Sequence, residues 1–267
     1  MEKQSARNIN DKLMEKNRYD SRTLAILKKK ELESSKLGSA SIPLVLRSPY
    51  LFYEEKIKEL LNPSCKVLEI GSGIGLHTYS LIKTGAHVTA TDISPNSLKV
   101  LEKNLIKKNT QGKLVTMIAD MEQLPFENKS FDVVTSVGSL SYGDEKKVDS
   151  EIHRIIKPTG YFICVDSLNN NPIYKLNRYI HYLKKERSKL TLLNMPTKQR
   201  IVSLTSRYKK VDVKYFGSIQ FMPAAGTSTG GSLVGGPSSG GLSLFGGGSS
   251  GNASGGESST SLSGSIG

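Results

Sequence analysis

The stretch VLEIGSGIGLHT, Val67 to Thr78, constrains the fold of this chain more than any other. An apolar run ends in an acid and passes into glycines at positions 71, 73 and 75. That is the pattern of a buried strand turning into a helix through a segment stripped of side chains. In an open parallel sheet such a turn lies beyond the carboxyl end of the strand, where ligands bind. Gly71 and Gly73 let backbone amides approach a ligand, and the following helix start favours a carboxylate or phosphate.

The spacing then counts against two common ligands. A dinucleotide fingerprint starting at Gly71 and Gly73 needs a third small residue where Leu76 stands, and a phosphate loop needs Lys-Ser/Thr where His77-Thr78 stands. NAD and a Walker-type ATP site are both disfavoured.

The surrounding pattern is one of alternation. A helix over Tyr50 to Leu61 is stopped by Asn62-Pro63. Strands are expected over Lys66 to Ile70, His87 to Thr91, Leu114 to Ile118, Phe131 to Val137 and Tyr161 to Asp166. Helices over Leu76 to Thr84, Pro95 to Lys108 and Glu145 to Ile156 separate most of them. This predicts an α/β fold: a Rossmann-like, doubly wound, mostly parallel sheet with helices on both faces. A basic amphipathic helix spans NPIYKLNRYIHYLKKERSKL with Ile173, Leu176, Ile180 and Leu183 aligned, read as a packed stripe under a solvated face, contact with an anion or membrane headgroups being the rival role; a helix over Pro196 to Tyr208 and a strand over Val211 to Phe216 complete the body.

Two further strand ends carry acids. Asp92 closes TATDIS about 20 residues after the loop, where a carboxylate accepts ribose hydroxyls. Ser94-Pro95 behind it supplies a cap and a first-turn proline. Asp120 closes MIADMEQLPF, placed to accept from an adenine amino group while the Met121 amide meets a ring nitrogen. A plain helix-cap role for Asp120 is the competing reading. Three strand tips in this order are far more selective than any one of them.

With Leu124-Pro125-Phe126, FDVVTSVGSLSYG and EIHRIIKPTGYF, these motifs resemble the class I S-adenosylmethionine-dependent methyltransferases, in particular their small-molecule branch. The resemblance runs from about Tyr50 to Asp166, with a looser fit to Phe221. It implies that Glu69, Gly71, Ser72 and Gly73 hold the methionine part of the cofactor. Asp92 with Ile93 would hold the ribose, Asp120 and Met121 the adenine, and Ser136-Val137 would line the site. The implied function is methyl transfer to a small or medium-sized acceptor at oxygen or nitrogen, with no catalytic base assigned. Tyr142, Arg47, Tyr50 and Tyr53 are candidate walls of the acceptor pocket, core packing being the rival role for the tyrosines. His77 and His153 are expected to be structural, and the acceptor is expected to meet the N-terminal extension and the Asn169 to Lys189 segment.

The pattern breaks at the end. From Met222 to Gly267 the chain is a Gly/Ser tract with no lysine or arginine, read as a disordered tail. The final antiparallel strand of the fold is therefore expected to be missing. The expected organisation is an N-terminal helical extension over 1–48, a methyltransferase domain over 49–221 and the tail over 222–267.

The net charge is +13, and the body without the tail's single acid Glu257 is more positive still, which raises the odds of an anionic partner such as a phosphorylated sugar, a nucleic acid or a lipid surface, a lysine-rich solvated surface being the commoner cause. Cys65 and Cys164 are expected to be reduced, and no HExxH, CxxC or other metal-ligand spacing occurs. No run reaches the length of a membrane span and no apolar signal core is seen, so a cytoplasmic protein is expected. Two other readings stand beside the enzyme: a silent cofactor-binding interaction protein, and an RNA methyltransferase prompted by the basic body. The second lacks the N/D-P-P-Y/F motif and any RNA-binding module.

Overall fold

The computed structural model describes residues 2–28, 37–106, 112–169, 172–184, 186–216 and 241–246. It contains a seven-stranded sheet. The strands are β1 (Lys66–Ile70), β2 (His87–Asp92), β3 (Lys113–Ile118), β4 (Phe131–Val137), β5 (Ile156–Ser167), β6 (Val211–Phe216) and β7 (Gly241–Gly246). Their order is β3-β2-β1-β4-β5-β7-β6, with the first five parallel. The order reverses at β1, which lies between β2 and β4, so the crevice for a ligand opens above the carboxyl ends of these strands.

Alternation along the strands decides what each face packs against. Val67, Val88, Val133 and Ile163 point to one face, where they meet Tyr53 and Ile57 of α2 (Ser48–Leu60), Leu81 of α3 (Thr78–Ile82) and Leu101 of α4 (Pro95–Ile106). Their neighbours Leu68, Val134, Phe162 and Cys164 point to the other. There they pack on Ile152 and Ile155 of α5 (Glu145–Ile155) and on Ile201 and Leu204 of α8 (Lys198–Thr205). The caps follow the sequence chemistry: Asp144 accepts from the Lys147 amide, and Ser94 Oγ from the Ser97 amide, one residue before Pro95 starts α4. Cys65 and Cys164 are free thiols.

Two expectations are corrected. The final antiparallel strand, expected to be missing, is present as Gly241–Gly246, within the tract read as a tail. It inserts antiparallel between β5 and β6, with Leu244 opposite both Cys164 and Val213. The physical reason is the slot: two open strand edges satisfy both sides of any short extended segment laid between them, and pairing on both sides overrides weak propensity. The rest of the tract, 217–240 and 247–267, lies outside the described residues.

The second correction concerns α6 (Pro172–Leu183), which ends before α7 (Lys189–Leu193) instead of running on. Leu176, Ile180 and Leu183 of its apolar stripe face outward, Leu176 59% and Leu183 61% exposed, while Arg178 is only 5% exposed. The N-terminal helix α1 (Glu2–Lys28) behaves alike, burying Glu15 and Thr23 and exposing Leu13 and Leu24. No helix among the described residues is long and apolar enough to cross a membrane.

Candidate functional site

The glycine loop is built by two different constraints. Gly71 has φ +67° and a side-chain carbon there would meet Ser139 Cβ at 2.4 Å, so backbone conformation and packing both demand glycine. Gly73 has φ +54° and a side-chain carbon would meet nothing within 4 Å. That position opens on the crevice.

Asp92 ties this loop to the tip of β2. Its Oδ2 accepts from the Gly73 amide at 2.8 Å and its Oδ1 from the Ser94 amide at 2.8 Å. Burial raises the Asp92 carboxyl above its usual range against these two donors, and the nearby charge of Asp20 adds to the shift. Asp20 reaches the same corner by accepting from the Ser94 hydroxyl.

A cavity of about 350 Å³ lies above these tips. Its base is Gly71, Ser72 and Gly73 with Leu76 and His77. One side carries Asp92 and Ile93, then Asp120 and Met121 from the tip of β3; the other carries Val137, Ser139 and Tyr142 after β4. The structure thus brings eight of the ten cofactor-site residues from the sequence together. Glu69 and Ser136 stand one layer behind. Glu69 is 2% exposed and its Oε2 accepts from the Thr78 hydroxyl at the start of α3. Burial pushes its acid up to about 8, so at neutral pH it is largely uncharged and it fixes the helix start from below. Ser136 Oγ meets Ser139 Oγ at 2.6 Å, and Ser139 in turn donates to the Ile70 carbonyl at 2.9 Å.

Asp120 has two occupations. Its Oδ1 accepts from the Glu122 amide at 2.9 Å, the local turn role, and its Oδ2 pairs with Lys12 Nζ at 2.6 Å. Lys12 also meets Glu122 at 2.8 Å. Burial works against the charge of Lys12, but these two carboxylates outweigh it and raise its pKa.

Lys12 belongs to α1, which roofs the cavity with Glu15, Tyr19, Arg22 and Thr23. None of these five was singled out in the sequence, where α1 shows only an intermittent apolar pattern. The sole pointer was that the extension is free of core motifs. Long-range pairs hold the roof down: Glu15 Oε1 accepts from the Ser188 amide at 2.8 Å, Asp11 from the Leu190 amide at 3.0 Å, and the Tyr19 hydroxyl donates to Tyr142 Oη at 2.7 Å.

His77, expected to be structural, borders the same cavity. It is buried, lines the cavity and stacks on Tyr50 with ring centroids 5.1 Å apart. Burial lowers its pKa to about 4, against the pull of Glu54, so it is neutral at physiological pH. Its Nδ1 and the Ser72 Oγ are buried without a hydrogen-bond partner. Of the expected acceptor walls, only Tyr142 lines the cavity. Tyr53 is fully buried in the core, Tyr50 covers His77, and Arg47 donates to the Ile42 carbonyl at 2.8 Å. His153 packs on Tyr208 at 4.8 Å, away from the crevice.

Comparison with known proteins agrees with this geometry. Residues 68–164 match the family model described as a methyltransferase domain. A sterol 4-C-methyltransferase of Caenorhabditis elegans is 32% identical over 153 residues, 57% of this chain and 43% of that protein. A ubiquinone/menaquinone biosynthesis C-methyltransferase of Rickettsia bellii is 31% identical over 123 residues, 43% of this chain and 50% of that one. The chain therefore spans half or less of the length of these two relatives. A SAM-dependent methyltransferase from Methanosarcina mazei superposes with a TM-score of 0.51 at 20% identity, over 72% of this chain and 96% of that one. Geranyl diphosphate C-methyltransferase from Streptomyces coelicolor A3(2) gives 0.51 at 14% identity, over 61% and 62%. These two share the fold. Sequence motifs, strand order and family match coincide on one segment, and residues 68–164 are a class I S-adenosylmethionine-dependent methyltransferase domain.

Proposed function

We propose that this chain transfers a methyl group from S-adenosylmethionine to a small-molecule acceptor held between the strand tips and helix α1. The observation that carries the reading is the cavity at the reversal of strand order, lined by the Gly71–Gly73 loop, Asp92 and Asp120 together. The residues fit the cofactor. Gly73 leaves open space toward the crevice, and Ser72 Oγ and His77 Nδ1 are buried polar atoms that lack a partner within the protein.

The loop amides and Ser72 would hold the methionine part, Asp92 the ribose, and Asp120 with the Met121 amide the adenine. Asp92 already accepts two amide bonds, and a carboxylate has roughly four lone-pair sites, so capacity for ribose hydroxyls remains. Glu69 and Ser136 support the loop from behind. When bound, the cofactor supplies an activated methyl on a sulfonium centre. The protein's task is to align the acceptor, exclude water and surround the positive charge with carboxylates and aromatic faces, here Glu15 and the Tyr19–Tyr142 pair at 5.7 Å. Carbon is the acceptor atom we favour over oxygen or nitrogen. Support comes from the two curated relatives, both named C-methyltransferases.

The test is calorimetric titration with S-adenosylhomocysteine, beside Asp92→Ala, with thermal melts of both proteins. The parent is expected to bind saturably and the variant about 100-fold more weakly, the loss of two charge-assisted hydrogen bonds. A folded parent that shows no binding overturns the reading. Binding without transfer of labelled methyl to any compound in a metabolite extract would favour the silent module.

A further inference from the structure

Helix α6 lies with its apolar side outward. Leu176, Tyr179, Ile180 and Leu183 stand at i, i+3, i+4 and i+7, which is one stripe of an α-helix. All four are exposed, Tyr179 by 46% and Ile180 by 40%, the two leucines by more. The inner face is polar and has its own contacts. Arg178, nearly fully buried, donates to the Ser141 hydroxyl at 3.1 Å and to the Thr191 carbonyl at 3.0 Å, and its charge acts on the buried Asp166 carboxylate. Turning the stripe inward would break these bonds, so the fold itself sets the stripe toward the outside.

Charge selects what covers this stripe. At 3.6 residues per turn, Lys175 and Lys184 fall on its two shoulders, roughly 90° either side of its centre. Both are exposed, and Lys184 continues the helix, its amide donating to the Ile180 carbonyl at 3.0 Å. Pro172–Leu183 holds no acidic residue, and the first acid after it, Glu186, pairs with His181 on the side away from the stripe. A second copy laid on this face would set lysine shoulders against lysine shoulders with no acid between them. An anionic bilayer answers both features: its acyl boundary takes the stripe and its headgroups take the lysines. Tyr179 suits that boundary, its ring being apolar and its hydroxyl polar.

We propose that α6 is a docking surface for an anionic lipid membrane, lying in the plane of the interface with Leu176, Ile180 and Leu183 in the acyl boundary and Lys175 and Lys184 among the headgroups. None of these residues lines the cavity above the strand tips, so the surface is separate from the cofactor site and does not depend on the methyltransferase reading. Helix α1, which roofs that site, is the neighbour of α6, Arg18 and Asn177 lining one cavity, so a docked α6 sets the roof close to lipid.

The chain has no tryptophan, so Tyr179→Trp puts its single indole in the stripe, and Val115→Trp puts one on the exposed side of β3 as a control. With vesicles of equal parts phosphatidylcholine and phosphatidylglycerol, the emission of Tyr179→Trp is expected to move to shorter wavelength and saturate, and that of Val115→Trp to stay unchanged. The full parent chain should co-sediment with the same vesicles, less so as salt rises. Lys175→Gln/Lys184→Gln should lose about fivefold in lipid affinity for each lysine. Leu176→Gln/Leu183→Gln should lose roughly tenfold or more. The charge-matched Lys103→Gln/Lys113→Gln, exposed on α4 and β3, should stay within about twofold. Each variant changes exposed side chains only and should keep the parent's melting temperature. A parent that does not sediment, or a Tyr179→Trp emission that does not move, overturns the proposal. Equal weakening by Lys103→Gln/Lys113→Gln overturns it too, by showing a general effect of net charge, and so does sedimentation untouched by Leu176→Gln/Leu183→Gln. Self-association that the leucine variant abolishes, without lipid binding, assigns the face to a second copy instead.

Discussion

The sheet and its cover obey opposite rules. In β1, β4 and β5 every apolar side chain at a core position points into one of two packed faces, as alternation requires. In α1 and α6 the inward positions hold Glu15, Thr23 and Arg178, while Leu13, Leu24, Leu176 and Leu183 face solvent. The sheet buries what water rejects, and the cover buries polar groups, with Glu15 and Thr23 facing the cavity above the strand tips. A helix that roofs a ligand site is selected for the groups it presents to that site, so its hydrophobic stripe is a poor guide to its inner face.

Three changes sharpen or break this contrast. The largest effect is expected in the sheet's own turn. Gly71→Ala forces a side chain into a left-handed backbone and against Ser139, at a cost of roughly 2–4 kcal/mol. Urea unfolding reads it, and a loss below about 0.5 kcal/mol would mean that the loop relaxes freely and that the glycine serves the ligand alone.

The cover should respond locally. Glu15→Ala leaves the Ser188 amide and Arg18 without their buried partner, a loss of about 2 kcal/mol. Amide hydrogen exchange should rise in α1 and over Ser188 to Leu193 while β1 and β4 keep their protection. If β1 and β4 exchange faster by the same factor, cover and sheet form one cooperative unit and the contrast between them is only one of side chains.

The smallest effect separates a supporting residue from a ligand-binding one. Glu69 has its folded pKa raised to about 8 from an ordinary 4.5, so the folded state holds the extra proton between these values. Stability contributed by that group is present below the unfolded value and falls as pH rises toward 8. Glu69→Gln keeps the neutral form and should flatten this slope between pH 5 and 8. An unchanged slope in chemical denaturation across that range would place the charged carboxylate in contact with a compensating group and return Glu69 to the site.

Much of the site was legible because strand tips are local features. A strand, its terminal acid and the turn after it are contiguous in sequence, and the sheet needs only to align them. This is how Gly73, Asp92, Asp120 and Val137 come to one cavity. Glu69 is contiguous with them too, yet its side chain alternates to the layer beneath, a difference that depends on which face of β1 the helix α3 covers. Lys12, Tyr19 and Arg22 lie far from the motif in sequence, and no local signal ties them to it. The strand Gly241–Gly246 was illegible for a related reason: its pairing partners, not its composition, make it a strand.

The sequence by itself determined the alternating strands and helices, the glycine loop with its acid-tipped neighbours, and through them the methyltransferase family. These depend on hydrophobic period and backbone stereochemistry, which act over a few residues. Only the tertiary structure decided which acids face the cavity, which helix roofs it, and that a Gly/Ser segment closes the sheet. Each of these is a contact between residues distant in the chain, made when burial and hydrogen-bond satisfaction are settled for the whole molecule at once.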